Sequence, residues 1–229
     1  MDEIVLIGGG GHALVVAEAA RGRGHSLAGF YDDDPAAVAS SKAGLKHLGP
    51  IADAQLRAQS RAELRDRPRG DQPRDDRPSQ SPIRAMLIAV GDVPLRRRLI
   101  AQLAPGRPAL ATVISPAAYV SPTARVGQGV FVGPTAAIHA FATIADHAII
   151  NTGAIIEHEC DIGENTHVAP GAVLGGNVRI GADSLIGLGS RVLPGIRIGA
   201  GCIIGAGAVV VRDVPDGATL VGVPARSMS

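Results

Sequence analysis

From Ile114 onward every sixth residue is Ile, Val or Leu, through Val120, Val126 and Val132 to Ile198, Ile204 and Val210. Seventeen positions follow one another without a miss or a slip. A Gly often comes next, as in Val126-Gly127, Ile162-Gly163, Ile180-Gly181 and Ile204-Gly205. An amphipathic helix repeats its apolar residues about every 3.6 positions and a half-buried strand every 2, so a period of six fits neither. It predicts a parallel β-helix of short strands, each ending at a tight corner. Six residues make one flat side and three sides close a triangular coil. Ile114, Val132, Ile150, Val168, Ile186 and Ile204, spaced by eighteen, then stack as one interior column. β-Branched residues suit such a wall, and Gly allows corners that other residues resist. At roughly 4.8 Å per stacked strand the prism rises on the order of 25 Å.

Ahead of the repeat the pattern changes. Residues 3–7 (Glu-Ile-Val-Leu-Ile) predict a buried strand, followed by Gly8-Gly9-Gly10-Gly11-His12-Ala13 and a helical run from Leu14 to Arg21. Ser26 to Tyr31 predicts a second strand, ending in Asp32-Asp33-Asp34-Pro35. This is a strand, Gly-loop, helix, strand unit. Gly8-x-Gly10-x-x-Ala13 meets the loose dinucleotide fingerprint, and Asp32 stands about where a ribose-binding acid would. Gly amides opening a helix hold any phosphate, and a tight turn without a ligand is the plain alternative. A complete NAD domain is not expected, because the repeat begins at Ile114. Ala85 to Val90 predicts a third strand, closed by Gly91-Asp92 at the edge where open α/β sheets bind ligands. Leu95 to Leu103 predicts a short helix whose Arg96-Arg97-Arg98 reads as a solvated face. Pro105 to Thr112 is a connector with an edge strand.

Between these strands the apolar pattern fades from Lys42 to Pro50. Residues 57–82 are rich in Arg, Asp and Pro and nearly free of large apolar side chains, which predicts a solvated, mobile insertion. The expected organisation is a small Rossmann-like α/β domain over residues 1–110 and a β-helix domain over residues 111–229.

Composition narrows the partners. Net charge is +1, aromatics are 2% and Trp is absent, so neither a basic footprint nor a stacking platform for nucleic acid is expected. Cys160 and Cys202 are not spaced by a multiple of the coil and read as reduced small hydrophobes. No long charge-free apolar run and no basic leader are present, so no membrane insertion is expected and a cytoplasmic location is. No metal site is expected.

Four His residues fall in the repeat: His139, His147, His158 and His167. His158 stands in Ile156-Glu157-His158-Glu159-Cys160-Asp161, where a carboxylate on the far ring nitrogen would fix the tautomer and favour proton uptake. Glu159 is the most local candidate; a solvated His on a prism face is the alternative. Gly176 lies one coil after His158 and leaves room beside the imidazole. His167 lies half a coil after His158, so the two do not easily share a site within one chain but could meet across an interface. His139 and His147 read as surface residues. Cys160 would share the face of His158 if the strand stayed regular, making it an outside candidate for a nucleophile.

The Gly-Gly-His start, the hexapeptide prism, the Ile155-to-Gly163 run and the ending Gly222-Val223-Pro224-Ala225-Arg226 together resemble the sialic acid O-acetyltransferase / nucleotide-amino-sugar N-acetyltransferase family. The resemblance covers nearly the whole chain except residues 57–82. It implies a homotrimer of left-handed β-helices with acetyl-CoA between neighbouring prisms and active sites at subunit interfaces. It implies His158 as general base toward the amine of a nucleotide-linked amino sugar, with Glu159 raising its basicity. His167 would contact the acetyl group or CoA, and the Gly176 amide would hold the thioester oxygen. Leu188 and Ala206 fall where the family lines the CoA channel. Gly10, Gly11, His12, Asp32, Asp33 and Gly91 fall where it holds the nucleotide sugar. Relatives commonly have Gly at the position of Ala206, and the insertion departs from the family near the nucleotide pocket. Sialic acid O-acetylation is the neighbouring reaction. A non-catalytic nucleotide-binding scaffold is the reading from another class, and the presence of His158 speaks against it.

Overall fold

Ile4, Val5, Leu6 and Ile7 are each 0% exposed in the computed structural model, which describes residues 3–65, 85–106 and 108–228. A run apolar at every position suits a strand covered on both faces. That strand, β1 (Glu3–Ile7), is followed by α1 (Gly11–Gly22), β2 (Ser26–Tyr31), α2 (Val38–Ala43), β3 (His47–Gly49), α3 (Ile51–Arg65), β4 (Ala85–Ile88) and α4 (Val93–Leu103). The four strands form a parallel sheet in the order β3-β2-β1-β4. Ile4, Leu6 and Phe30 pack with Ala13, Val16, Ala17 and Ala20 of α1 on one face. Val5, Ile7 and Tyr31 pack with Ala54, Ala58, Leu99 and Leu103 on the other. Leu110 bridges to Met86 in parallel, which is the edge segment expected between Pro105 and Thr112.

The expected insertion is corrected at its start. Helix α3 runs through to Arg65, so residues 57–65 belong to regular structure. Ile51, Ala54 and Ala58 sit at helical spacing, and the buried pair Ala54 and Ala58 packs beneath Tyr31. The rest of that insertion, residues 66–82, lies outside the described residues. The faded stretch before it holds the end of α2 and all of β3.

The repeat folds as its period requires. Strands of two residues run from Val113–Ile114 to Val209–Val210, and each ends on one of the positions of the sixfold pattern. Residues eighteen apart pair in parallel, Ile114 with Val132, Val132 with Ile150, Ile150 with Val168, and on through Ile186 to Ile204. The first three repeat positions are half-buried, having no coil above them; all later ones are buried. Leu220 stacks under Ile204 and an antiparallel pairing of Leu220 and Val221 with Ser227 and Arg226 ends the prism.

One outer face carries Val113, Phe131 and Ile149, which join the core formed by α1 and its sheet face. Helix α4 adds polar ties. Arg97 pairs with Glu164 at 2.8 Å and Asp183 at 2.7 Å, and Arg96 is 1% exposed, against the expected solvated face. Among the described residues no helix is long and apolar enough to cross a membrane.

Candidate active site

The Gly-loop is shaped by Asp32. Its Oδ2 accepts the Gly9 amide at 2.6 Å and its Oδ1 accepts the Asp34 amide at 2.9 Å. Gly9 tolerates no side chain, because a Cβ would run into the Phe30 ring. Gly10 and Gly11 instead face open space, with no atom within 4 Å of where a Cβ would stand. Gly10 is the N-cap of α1 and no side chain caps that end, so the helix start offers its amides outward. Asp33 is exposed, and its Oδ1 accepts the Ile51 amide at 3.0 Å, which ties it to the start of α3.

Gly91 and His12 belong to the same edge, and the structure adds His167 to them. His167 is 9% exposed. Its Nδ1 lies 2.9 Å from the Gly91 carbonyl and its Nε2 lies 3.0 Å from Asn151 Nδ2. A carbonyl only accepts, so Nδ1 carries the proton and Nε2 accepts from the Asn151 amide. The resemblance placed His167 against the acetyl group or CoA. Here both ring nitrogens are engaged within the chain, on the side of Gly91 and His12. The His12 ring stands 6.3 Å from that of His167 and edge-on to Phe131 at 5.2 Å. Burial pushes His12 down to about 4, with the charges of His167 and Arg96 adding to it. Burial likewise pushes His167 down to about 4, opposed by its bond to Gly91 and helped by Arg96. Both rings are therefore neutral at pH 7. Among the described residues His12 Nε2 is buried without a hydrogen-bond partner.

His158 lies elsewhere, at a corner of the prism. Its side chain is 58% exposed and its Nδ1 stands 3.1 Å from Glu159 Oε2. That contact places the proton on Nδ1 and the lone pair on Nε2. Gly176 sits one coil away, and a Cβ there would come 2.5 Å from His158 Nε2. Only Gly lets the ring lie over that coil. The corner residue Glu159 has φ +59°, which breaks strand alternation. Cys160 consequently turns inward, 1% exposed, and does not share the face of His158 as regular alternation would have it. Its thiol donates to the Gly175 carbonyl at 3.2 Å, and burial pushes it up to about 11. Such a thiol is a poor nucleophile.

A second corner, one side of the coil away, is lined by backbone. Gly189 and Gly207 have φ +65° and +68°, and a Cβ at either would meet nothing within 4 Å. Leu188, 59% exposed, and the exposed Ala206 precede these glycines. The corner is open, with the Leu188 side chain as an exposed apolar group beside it. Among the described residues no group of three or more His, Cys, Asp or Glu could hold a metal ion.

Sequence reasoning missed Arg96, Asn151 and Asn165 in this region. The signal for Arg96 was available: it follows the capping Asp92 by one turn and aligns with Leu99 and Leu103 on the buried face of α4.

The model described as the PglD N-terminal domain matches residues 3–63. The model of bacterial transferase hexapeptide repeats matches residues 141–176 and 177–212. No curated protein matches the chain. Among solved structures, PerB from Caulobacter crescentus in complex with CoA and GDP-perosamine is 38% identical with a TM-score of 0.82, covering 100% of this chain and 98% of that one. The acetyltransferase domain of PglB from Neisseria gonorrhoeae in complex with acetyl coenzyme A is 34% identical with a TM-score of 0.81, covering 99% and 98%. WeeI from Acinetobacter baumannii shares the fold at 23% identity and a TM-score of 0.76, covering 100% of both. A loop-and-sheet unit of the PglD type joined to a left-handed hexapeptide prism places the chain in the family of nucleotide-amino-sugar N-acetyltransferases.

Proposed function

We propose that the chain transfers the acetyl group of acetyl-CoA to the amine of a nucleotide-linked amino sugar of the GDP-perosamine or UDP-4-amino-sugar type. The observation that carries the chemistry is the corner formed by His158, Glu159 and Gly176. Glu159 holds the His158 ring through Nδ1, which leaves the Nε2 lone pair free to take a proton from the attacking amine. The amine nitrogen forms the new C–N bond as the thioester C–S bond breaks, and the proton passes from His158 to the departing thiolate. Gly176 lies beside the same ring, and its amide serves the oxygen that gains charge. Transfer is direct, since the buried Cys160 offers no thiolate.

Leu188, Ala206 and the Gly189–Gly207 corner hold CoA in this reading. Gly10, Gly11, His12, Asp32, Asp33 and Gly91 hold the nucleotide sugar, and His167 supports that side. The division at residues 110 and 111 then separates a sugar-nucleotide domain from a catalytic one. His158 and Leu188 occupy different corners of one prism, so a homotrimer with each site between neighbouring prisms is the assembly that brings them together. The reaction belongs in the cytosol, where acetyl-CoA is available.

The test is thiol release from acetyl-CoA with GDP-perosamine, a UDP-4-amino sugar and free sialic acid in parallel, with product mass measured. Acetylation of one nucleotide amino sugar is expected. Turnover with sialic acid alone would move the chain to O-acetylation, and silence with all three would overturn the substrate class.

A further inference from the structure

The fully buried side chain that needs explaining is Arg96. It is 1% exposed, and among the described residues no carboxylate forms an ion pair with it. Its guanidinium donates to the carbonyls of Val90 at 3.0 Å, Gly91 at 3.3 Å and Asn165 at 2.8 Å. The charge near it that does form ion pairs, Asp183, is taken by Arg97 and by Asn165 Nδ2 at 2.7 Å each. A cation buried on carbonyls, with carboxylates only at a distance, is expensive.

Its three contacts explain its place. Val90 and Gly91 end the strand edge assigned to the nucleotide sugar; Asn165 is a corner of the prism. The Gly91 carbonyl that Arg96 holds is also the acceptor for His167 Nδ1. Asn165 is itself fixed, with φ +56° and its Nδ2 donating to the Val93 carbonyl at 3.2 Å. The planar fork of a guanidinium can reach carbonyls on both sides of this seam at once, which a point donor cannot.

We propose that Arg96 is a positioning residue: by clamping the Gly91 carbonyl to the Asn165 corner it sets the orientation and tautomer of His167 and the height of the strand edge above the prism. The functional half of this proposal rests on the reading in which Gly91 and His12 face the nucleotide sugar. The structural half does not.

The experiment pairs nitrogen NMR of the histidine rings with steady-state kinetics on the full chain. In the wild type His167 is expected as the Nδ1–H tautomer, and in Asn151→Ala it should remain so, because Gly91 rather than Asn151 dictates it. In Arg96→Lys, which keeps the charge but not the fork, His167 should become a mixture of tautomers while the His158 signals stay put. KM for the nucleotide sugar should rise roughly tenfold, with kcat and the KM for acetyl-CoA within about twofold. Arg97→Ala, which removes two exposed ion pairs across the same seam, should change neither tautomer nor KM. A wild-type His167 protonated on Nε2, a switch of tautomer in Asn151→Ala, or an unaltered ring and KM in Arg96→Lys would each overturn the proposal. Should no nucleotide sugar turn over, the NMR arm still decides the clamp, so the two readings fail separately.

Discussion

Gly176→Ala tests the proposed catalytic corner with a single methyl group. Gly176 has no positive φ, so Ala can adopt its backbone and the perturbation is steric alone. The added carbon would stand 2.5 Å from His158 Nε2 and 2.6 Å from Cε1. Ordinary contact needs about 3.5 Å, so the ring has to retreat by roughly 1 Å. It can do so, because the His158 side chain is 58% exposed. The fold should lose less than about 1 kcal/mol, as surface substitutions do. Catalysis should not escape, since a displacement of about 1 Å can lower a rate on the order of a hundredfold, or about 2.7 kcal/mol in the barrier. The assay is thiol release at saturating acetyl-CoA and nucleotide amino sugar, beside a melting curve. A kcat within about threefold of wild type, with an unchanged Tm, would refute the placement of His158 over Gly176 as the reacting geometry.

His158→Ala should lower kcat by about a hundredfold or more, as loss of a general base does, with the melting temperature unchanged for so exposed a side chain. Cys160→Ala should leave kcat within about twofold, because its buried thiol takes no part; loss of turnover would restore a covalent route. Stability should fall as pH drops from 7 to 5. His12 and His167 are both held down to about 4 in the folded chain, so between that value and about 6.5 the unfolded chain binds protons that the folded one refuses. Each ring contributes on the order of 2 kcal/mol over this window, and together they should lower Tm by roughly 5–15 °C. An equal pH dependence in the His12→Asn, His167→Asn double variant would sink that assignment.

The prism was legible because its period is enforced by geometry. A residue out of step by one would move from the interior column to the surface, so seventeen repeat positions carry the coil, the stacking and the proximity of Gly176 to His158 in the sequence itself. The inward turn of Cys160 was not legible, because it depends on Glu159 taking a left-handed corner that Gly takes only two coils on, at Gly195. Helix α3 was masked by the charge of its second half, although Ile51, Ala54 and Ala58 already marked its buried face. The intrachain partners of His167 were not legible for a different reason. Its neighbours Gly91 and His12 come from the sheet unit, and their approach depends on how that unit docks, which no local pattern records. Arg96 hid in a run of three arginines whose members have three fates: buried, ion-paired and exposed.

The stacking of residues eighteen apart also limits how this chain can change length. Adding or removing one whole coil below the docked unit keeps every corner above its partner and alters only the height of the column. Adding or removing a single hexapeptide preserves the buried pattern of the sequence yet turns everything after it by one side. Placed between His158 and Gly176, such a change would leave a well-packed prism in which the imidazole overlies a different corner and Gly176 faces another side. Variation within this architecture is therefore quantised: packing tolerates steps of one side, whereas the chemistry tolerates only steps of a full turn.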